Sequence, residues 1–600
     1  MATLIISTER LTSEASYCPR TFNQVNNLFG QNYVQIVSPE DEYSPGIFET
    51  DSQITLVFGT PILDDWVDWS RDNILTLITA ALSEPKRIDS VFVIFVYDKK
   101  KRTCQVITDR YGFFPIYWVK LKNRIIFCTS FNTIVRYLKR FQALKIDQQK
   151  LYEFFWMRRL FGAETLIQNI YILPPASTIS VHSATYYNEQ TYWVPQPIES
   201  SELSENEYAE LVADTLTSAI TLSLKSSKRS GLMLSGGLDS RALLAVGRSK
   251  YASITNTVGA NNEYKIAQEL ARSVGSSHYH LVRPKDYLSE IFDSATRACD
   301  ATTLYYECQF LGYIDELKQV SDSIHLGLFL DVFFCGHYMP KFQPQFMGRY
   351  AVHFRFNELP KTDLARYFVN NISYRQKSTS LKDVVSKNVN DRYFDGLENT
   401  ISDLMRAGED AGFRGIPLWE YCHLTNVGRH YSTLMARSLL PYVQVWLPVL
   451  NIKSYDLAFQ IPVKFKYNWS VYLKALKRLD SQLMQIPNSN TNISAHLGLR
   501  TQTMVKAMRG SYNLVRPGSY VTSPTYDDRS WPPVNESITE NHKINNKILE
   551  LMETGKVLEM GMFRKDMLRT LYDKTVSKKE DHSVFLNQLL TVEYGLMKYL

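Results

Sequence analysis

The residues best equipped for chemistry are Ser235, Gly236, Gly237, Leu238, Asp239 and Ser240, one contiguous run within the chain. Gly236 and Gly237 carry no Cβ, so the backbone there can approach an anion closely. Ser235 and Ser240 offer hydroxyl donors, and Asp239 offers a carboxylate for a Mg2+ that bridges phosphate oxygens. Upstream, Gly231-Leu232-Met233-Leu234 has the pattern of a short buried strand, and residues 241–246 downstream have helical composition. A glycine turn feeding a helix N-terminus aims backbone N–H groups and the positive end of the helix dipole at one point. The ligand that fits such a cradle is a nucleotide pyrophosphate. The rival reading is a plain glycine-rich turn between strand and helix.

S-G-G-L-D-S after a strand resembles the PP-loop of ATP pyrophosphatases, in the version carried by the asparagine synthetase group. A Walker loop would need G-x-x-x-x-G-K-[ST] instead. The resemblance implies ATP bound on Leu234, Ser235, Gly236, Gly237, Leu238, Asp239 and Ser240 while a carboxylate attacks the α-phosphate. The following elements agree in order: a strand over 254–259, a helix over 263–271 and a strand from 278 to 282. This series implies an α/β domain with a doubly wound parallel sheet and the nucleotide at the strand C-termini. Val258 and Gly259, closing the first of those strands, are expected in the nucleotide site. His278 and His280 have the look of a metal pair, but histidines on a strand beside a packed sheet are the commoner case.

The family's second loop, S-G-E-G-S-D-E-V-F-G-G-Y, corresponds to residues 326–336, in which Gly327 and Asp331 persist while the flanking acids and the serine are apolar. Asp239 and Asp331 are therefore the expected magnesium ligands, the rival for 326–334 being a buried strand without a catalytic role. Residues 443–451 match E-A-R-V-P-F-L-D only at Pro448 and Leu450. The loop over 486–492 has no lysine where the family places one against the reacting phosphorus. Lys474, or Lys477, on the preceding amphipathic helix is the expected substitute. A missing cation there would remove a few kcal/mol of transition-state stabilisation.

Before residue 195 a second resemblance runs in order. Residues 91–98 and 104–108 read as strands joined by the solvated turn Lys99-Lys100-Lys101-Arg102. Asp109-Arg110-Tyr111-Gly112-Phe113-Phe114-Pro115-Ile116-Tyr117-Trp118, the strand near 125–130, Leu173-Pro174-Pro175 and Tyr192-Trp193 resemble a class II glutamine amidotransferase domain. That implies stacked antiparallel sheets of the Ntn-hydrolase kind over 1–195, followed by an asparagine synthetase-like ATP-binding domain over 205–600. Glutaminases of this family use an N-terminal cysteine with its own α-amine as base. Here Ala2 follows Met1 and the first cysteine is Cys18. Gly59-Thr60-Pro61 lacks the glutamine-binding asparagine-glycine-glutamate pattern, and Phe131 replaces an acid. The resemblance thus implies the fold without the glutaminase chemistry.

Composition sets the outer bounds. Six hundred residues suit two domains, and a hydrophobic fraction of 44% with 21% charged is that of an ordinary globular chain. The net charge of +6 is dispersed, which argues against a nucleic-acid partner. Seven cysteines with no Cys-x-x-Cys pair argue against a disulfide framework or structural zinc. No apolar run has the length to cross a bilayer and no signal peptide is visible, so a cytoplasmic location is expected. Residues 515–540 read as a long loop, and 585–600 as an amphipathic helix.

The combined expectation is an ATP- and Mg2+-dependent, AMP-forming amide ligase acting on a small-molecule or peptide carboxylate. Its branch resembles the glutaminase-dead lasso-peptide cyclases and β-lactam synthetases. The rivals are an asparagine synthetase and a nucleotide-binding scaffold without catalysis. A homodimer, or a partner biosynthetic protein, is left open.

Overall fold

The computed structural model describes residues 3–7, 33–37, 46–66, 71–122, 124–183, 186–197, 203–342, 344–346, 349–350, 355–515 and 534–600. Met1, Ala2, Cys18 and residues 516–533 of the expected long loop lie outside them.

Two antiparallel sheets build the N-terminal region. One holds β1 (Thr3–Ser7), β2 (Tyr33–Val37), β7 (Tyr117–Lys120), β8 (Ile125–Cys128) and β9 (Tyr171–Ile172), in the order β2-β1-β8-β7-β9. The other holds β3 (Gly46–Glu49), β4 (Gln53–Gly59), β5 (Phe92–Asp98), β6 (Thr103–Thr108), β10 (Ser177–Val181) and β11 (Tyr187–Thr191), in the order β11-β10-β6-β5-β4-β3. Strand β5 shows why this sheet has two dry faces. Val93 and Phe95 point into the core shared with Phe58 and Tyr117, while Phe92, Ile94 and Val96 pack with Ile74, Leu77 and Ile78 of the helix Arg71–Ser83. Side chains alternate with period two, so a continuous apolar run serves two cores at once. The basic turn is as expected: Asp98 Oδ1 accepts the N–H groups of Lys100 and Lys101, and Lys99 pairs with Glu49.

The C-terminal region is built on a parallel sheet of β12 (Ser230–Met233), β13 (Tyr251–Thr257), β14 (Ser277–Val282), β15 (Ser323–His325) and the strand Gln444–Trp446. Their order is β14-β13-β12-β15 and then Gln444–Trp446, every pairing being parallel. The chain winds outward from β12 in one direction through β13 and β14, then returns to its other side at β15. The switch point therefore falls between β12 and β15, where open α/β sheets place their ligands. The expected strand over 254–259 ends at Thr257, so Val258 and Gly259 lie in the turn beyond it. Residues 326–334 are not a strand: β15 stops at His325, and a short helix, Leu330–Phe334, follows. Its first residue is preceded by Phe329 at φ 73°, a left-handed conformation that favours glycine. Phe329 stands where the family pattern has its second glycine.

The two regions are joined by backbone contacts. Gly428 donates its N–H to Tyr111 O, and a Cβ there would lie 2.1 Å from Gly112 O. Gln588, in the buried helix Ser583–Gly595, donates to Phe154 O at 2.8 Å. That helix and the 3-10 turn Met597–Tyr599 occupy the expected C-terminal helix. No helix among the described residues is long and apolar enough to cross a membrane.

Candidate active site

The turn leaving β12 is held by its own serines. Ser240 Oγ accepts the Ser235 N–H at 3.1 Å and lies 3.1 Å from Ser235 O, to which it donates. Ser235 Oγ accepts the Gly237 N–H at 3.2 Å and sits 3.0 Å from Ser240 Oγ. The sequence suggested two hydroxyls for a ligand; the structure spends that of Ser240 on closing the turn. Gly237 is the N-cap of the helix Leu238–Gly247, whose first N–H groups have no intrahelical partners. They and the helix dipole face the crevice at the switch point.

A second segment backs this turn. Arg241, 1% exposed, donates to four carbonyl oxygens: Gly236, Leu483, Ile486 and Pro487, at 2.7–3.1 Å. Ser489 adds its N–H to Gly236 O at 3.0 Å. The loop over 486–492 is thereby fastened to the back of the 235–240 turn. A Cβ on Gly236 would meet Ser489 Cβ at 2.5 Å.

The β15 end supplies the opposite wall. A Cβ on Gly327 would stand 2.7 Å from the Asp239 carbonyl carbon and 2.8 Å from Ser240 N. Glycine is required here by close approach of two backbones. That approach brings Asp331, in the first turn of Leu330–Phe334, to Asp239. Burial and the facing Asp331 carboxylate push the Asp239 carboxyl well above its ordinary range, against a hydrogen bond from Tyr472 and one from the Asp331 N–H. Tyr472 Oη lies 3.0 Å from Asp239 Oδ1. On its far side Asp331 Oδ2 is 3.5 Å from His337 Nδ1. Two carboxylates forced together beside the 235–240 turn make a hard-oxygen pair of the kind that can take a divalent cation. No group of three or more metal-ligating side chains occurs among the described residues. The remaining ligands would come from the nucleotide and solvent. A cavity of about 220 Å3 opens beside the pair, bounded by Leu234, Ser235, Asp239, Asn256, Gly327 and Met435 among others.

The other expected residues separate clearly. Val258 is exposed, and a Cβ on Gly259 would meet open space, so this turn forms an open rim beyond β13. Lys474 is turned away, paired with Glu205 at 2.6 Å. It lies two residues from Tyr472 on the helix Ser470–Leu479, which puts the two on opposite faces. His278 and His280 are engaged by Thr255 and Thr257 at 2.8 and 2.7 Å, and belong to no metal-binding group of three or more His, Cys, Asp or Glu among the described residues. Tyr472, 233 positions from Asp239, and Arg241 were not foreseen. Arg241 follows the motif directly and offered a signal: a cation among apolar residues must find carbonyls or an anion.

Residues 81–193 match the family described as a glutamine amidotransferase domain, and residues 211–314 the one described as asparagine synthase. Over these two stretches the chain is similar to the asparagine synthetase superfamily. The chain is similar to two Bacillus subtilis (strain 168) proteins, "Asparagine synthetase [glutamine-hydrolyzing] 1", 20% identical over 37% of this chain, and "Asparagine synthetase [glutamine-hydrolyzing] 2", 22% identical over 36%. The matches span 36% and 32% of those proteins, so the chain covers about a third of the length of each. Two solved structures overlap it in part. One, titled as the allosteric regulatory enzyme of purine biosynthesis, is 7% identical with a TM-score of 0.20 and covers 46% of this chain and 73% of its own. The other, glutamine phosphoribosylpyrophosphate amidotransferase from B. subtilis complexed with ADP and GMP, is 8% identical with a TM-score of 0.19. It covers 48% of this chain and 64% of its own.

Proposed function

We propose that this protein is an ATP-dependent amide ligase that adenylates a substrate carboxylate, releases pyrophosphate and transfers the acyl group to an amine. The observation that carries the reading is the pairing of Asp239 with Asp331 at the switch point, beside a turn shaped for phosphate. In this reading Leu234, Ser235, Gly236, Gly237, Leu238 and Ser240 cradle the pyrophosphate, and Gly327 keeps the second loop close enough to complete the site. Val258 and Gly259 border the nucleoside end. Asp239 and Asp331 would hold Mg2+, which when bound supplies charge neutralisation on the phosphates. Tyr472 keeps one Asp239 oxygen hydrogen-bonded and its carboxyl oriented. The helix N-terminus supplies the fixed positive potential that the missing loop lysine would otherwise provide.

The nitrogen in this reading belongs to the acyl acceptor, as in lasso-peptide-type macrocyclisation, rather than to glutamine. The support is local. Gly59-Thr60-Pro61 lacks a glutamine-binding pattern, and Thr60 is closed onto Ser90 and Val91. A second reading, a nucleotide-binding scaffold, draws on Lys474 facing Glu205 and on a loop over 486–492 without a cation. An asparagine synthetase is a third, favoured by the named relatives.

The test is release of AMP and pyrophosphate from Mg-ATP by the wild type and an Asp239→Ala variant. Aspartate with ammonia is supplied first, then carboxylate-bearing peptides. Asp239-dependent AMP supports the ligase, and the stimulating compound names its branch. ATP binding without AMP under every condition supports the scaffold.

A further inference from the structure

Two histidines on the edge strand β14 reach toward the site through a neighbour. The register pairs His278 with Ser253 and His280 with Thr255. Their side chains do not follow it. His278 Nε2 lies 2.8 Å from Thr255 Oγ1, and His280 Nε2 lies 2.7 Å from Thr257 Oγ1. Each imidazole thus leans one same-face position toward the C-terminal end of the sheet, the end at which open α/β sheets place their ligands. Tyr264, from the helix Asn262–Ser273, covers both rings, with ring centres 4.1 Å from His280 and 5.3 Å from His278. Gln268 donates to Tyr264 Oη at 3.0 Å and holds that ring in place.

The direction of each hydrogen bond is fixed by what the threonines do next. Thr255 Oγ1 donates to Leu234 O at 2.8 Å, and Thr257 Oγ1 donates to Gly259 O at 2.7 Å. A hydroxyl has one proton to give. With that proton on a carbonyl, the histidine is the donor, and both rings carry a proton on Nε2. Turning either hydroxyl toward its imidazole would leave two oxygens facing each other at hydrogen-bond distance with no hydrogen between them. Both threonines are buried, at 1% and 0% exposed. Both acceptor carbonyls stand just past a strand end. β12 stops at Met233, so Leu234 opens the 235–240 turn, and it also lines the cavity. β13 stops at Thr257, so Gly259 belongs to the rim beyond it. A carbonyl that has left its ladder is held in place only if another donor reaches it, and here a side chain does.

We propose that His278 and His280 are positioning residues for the nucleotide. His278 acts through Thr255 on the residue that opens the 235–240 turn, and His280 acts through Thr257 on the rim at the nucleoside end. This rests on the nucleotide-binding part of the ligase reading. It gives the edge strand a part in ATP affinity and none in the chemical step.

The experiment is calorimetric titration of the full chain with Mg-ATP, with AMP release and melting temperature measured beside it. The variants are His278→Leu, His278→Gln, Thr255→Val and the double variant His278→Leu with Thr255→Val. His278→Leu is expected to weaken ATP binding about tenfold, the effect of one buried hydrogen bond, and to raise KM for ATP with kcat within about twofold of wild type. His278→Gln keeps an N–H donor on a side chain of similar reach and should recover most of the affinity. Thr255→Val should weaken binding at least as much as His278→Leu. The double variant should bind no worse than Thr255→Val alone, because the histidine acts only through the hydroxyl. His280→Leu and Thr257→Val form a second cycle with the same expectation. Losses that add in the double variants overturn the proposal, as does a glutamine that fails to rescue. A His278→Leu protein that melts lower yet binds ATP as the wild type does makes the histidine a packing residue, which also overturns it. AMP release separates this inference from the reading beneath it. ATP affinity that follows the expected pattern, with no AMP from any carboxylate, keeps the positioning role and removes the ligase. Asp239-dependent AMP whose KM for ATP is unmoved by His278→Leu does the reverse.

Discussion

Tyr472 Oη lies 3.0 Å from Asp239 Oδ1 and donates to it, tying the helix Ser470–Leu479 to the first turn of the helix Leu238–Gly247. The hydrogen bond is charge-assisted, and strongest, when the Asp239 carboxyl is ionised. It is also one of two contacts that hold the Asp239 carboxyl down against burial and Asp331. Tyr472→Phe keeps the ring and removes that donor. The Asp239 carboxyl then rises further, and a higher pH is needed to ionise it. The acid limb of the pH profile for AMP release should move to higher pH, with turnover at neutral pH reduced about tenfold. An unchanged acid limb would mean that Asp239 ionisation does not govern the reaction.

The Asp239–Asp331 repulsion sets a stability trade. A carboxyl raised in the folded state contributes stability that is fully present below its unfolded value, about 3.9, and lost as pH rises through the raised value. Asp331→Asn relieves that loss. The metal-free variant should melt about 1 °C or more above the wild type near neutral pH, with the difference vanishing in acid. Mg-ATP should stabilise the wild type and fail to stabilise the variant. Scanning calorimetry across pH, with and without Mg-ATP, checks both signs.

How much of this was legible follows physical lines. The turn over 235–240 could be read because its glycines, serines and aspartate are contiguous, and local backbone chemistry dictates the turn. The parallel sheet followed from alternating strands and helices. The run over 326–334 misled in its rival reading, because an apolar stretch looks like a strand until a close backbone contact at Gly327 forces it to turn. The contact of Tyr472 with Asp239 joins residues 233 positions apart, and no local pattern encodes it. Lys474 was chosen for its charge and its helix; the helical period, which puts it opposite Tyr472, was the information left unused.

Gly327 tests the switch-point geometry. Alanine there would put a methyl 2.7 Å from the Asp239 carbonyl carbon, a backbone atom with no side-chain freedom to yield. The second loop must then retreat and carry Asp331 with it. Gly327→Ala should lower AMP release at least about 100-fold, since an ångström of misplacement at a reacting centre costs that much. Thermal stability should fall by far less than unfolding requires. Retained turnover would show that Asp331 need not sit against Asp239.

Arg241 tests the support behind the turn. Methionine there would leave the carbonyls of Gly236, Leu483, Ile486 and Pro487 without their shared donor. Unsatisfied buried acceptors cost about 1–3 kcal/mol each before relaxation, so a net loss of about 3–5 kcal/mol is expected. Chemical denaturation reads that loss. Hydrogen exchange should localise the loosening to residues 483–492 and the phosphate-binding turn. Arg241→Lys, which keeps the charge but has fewer donors in a different geometry, should recover part of the stability.

Lys474 is the residue on which sequence and structure part. Its ammonium is held by Glu205 at 2.6 Å, in a pair exposed enough to contribute well under about 1 kcal/mol. Lys474→Met should therefore leave the melting temperature within about 2 °C and AMP release within about twofold of wild type, and Glu205→Gln should do the same. If Lys474 instead swung into the site during turnover, it would have to leave Glu205. Lys474→Met would then cost at least about 100-fold in turnover, while Glu205→Gln, which frees the lysine, would raise it. The opposite responses of the two variants decide the matter, because a surface ion pair treats its partners alike and a catalytic cation does not.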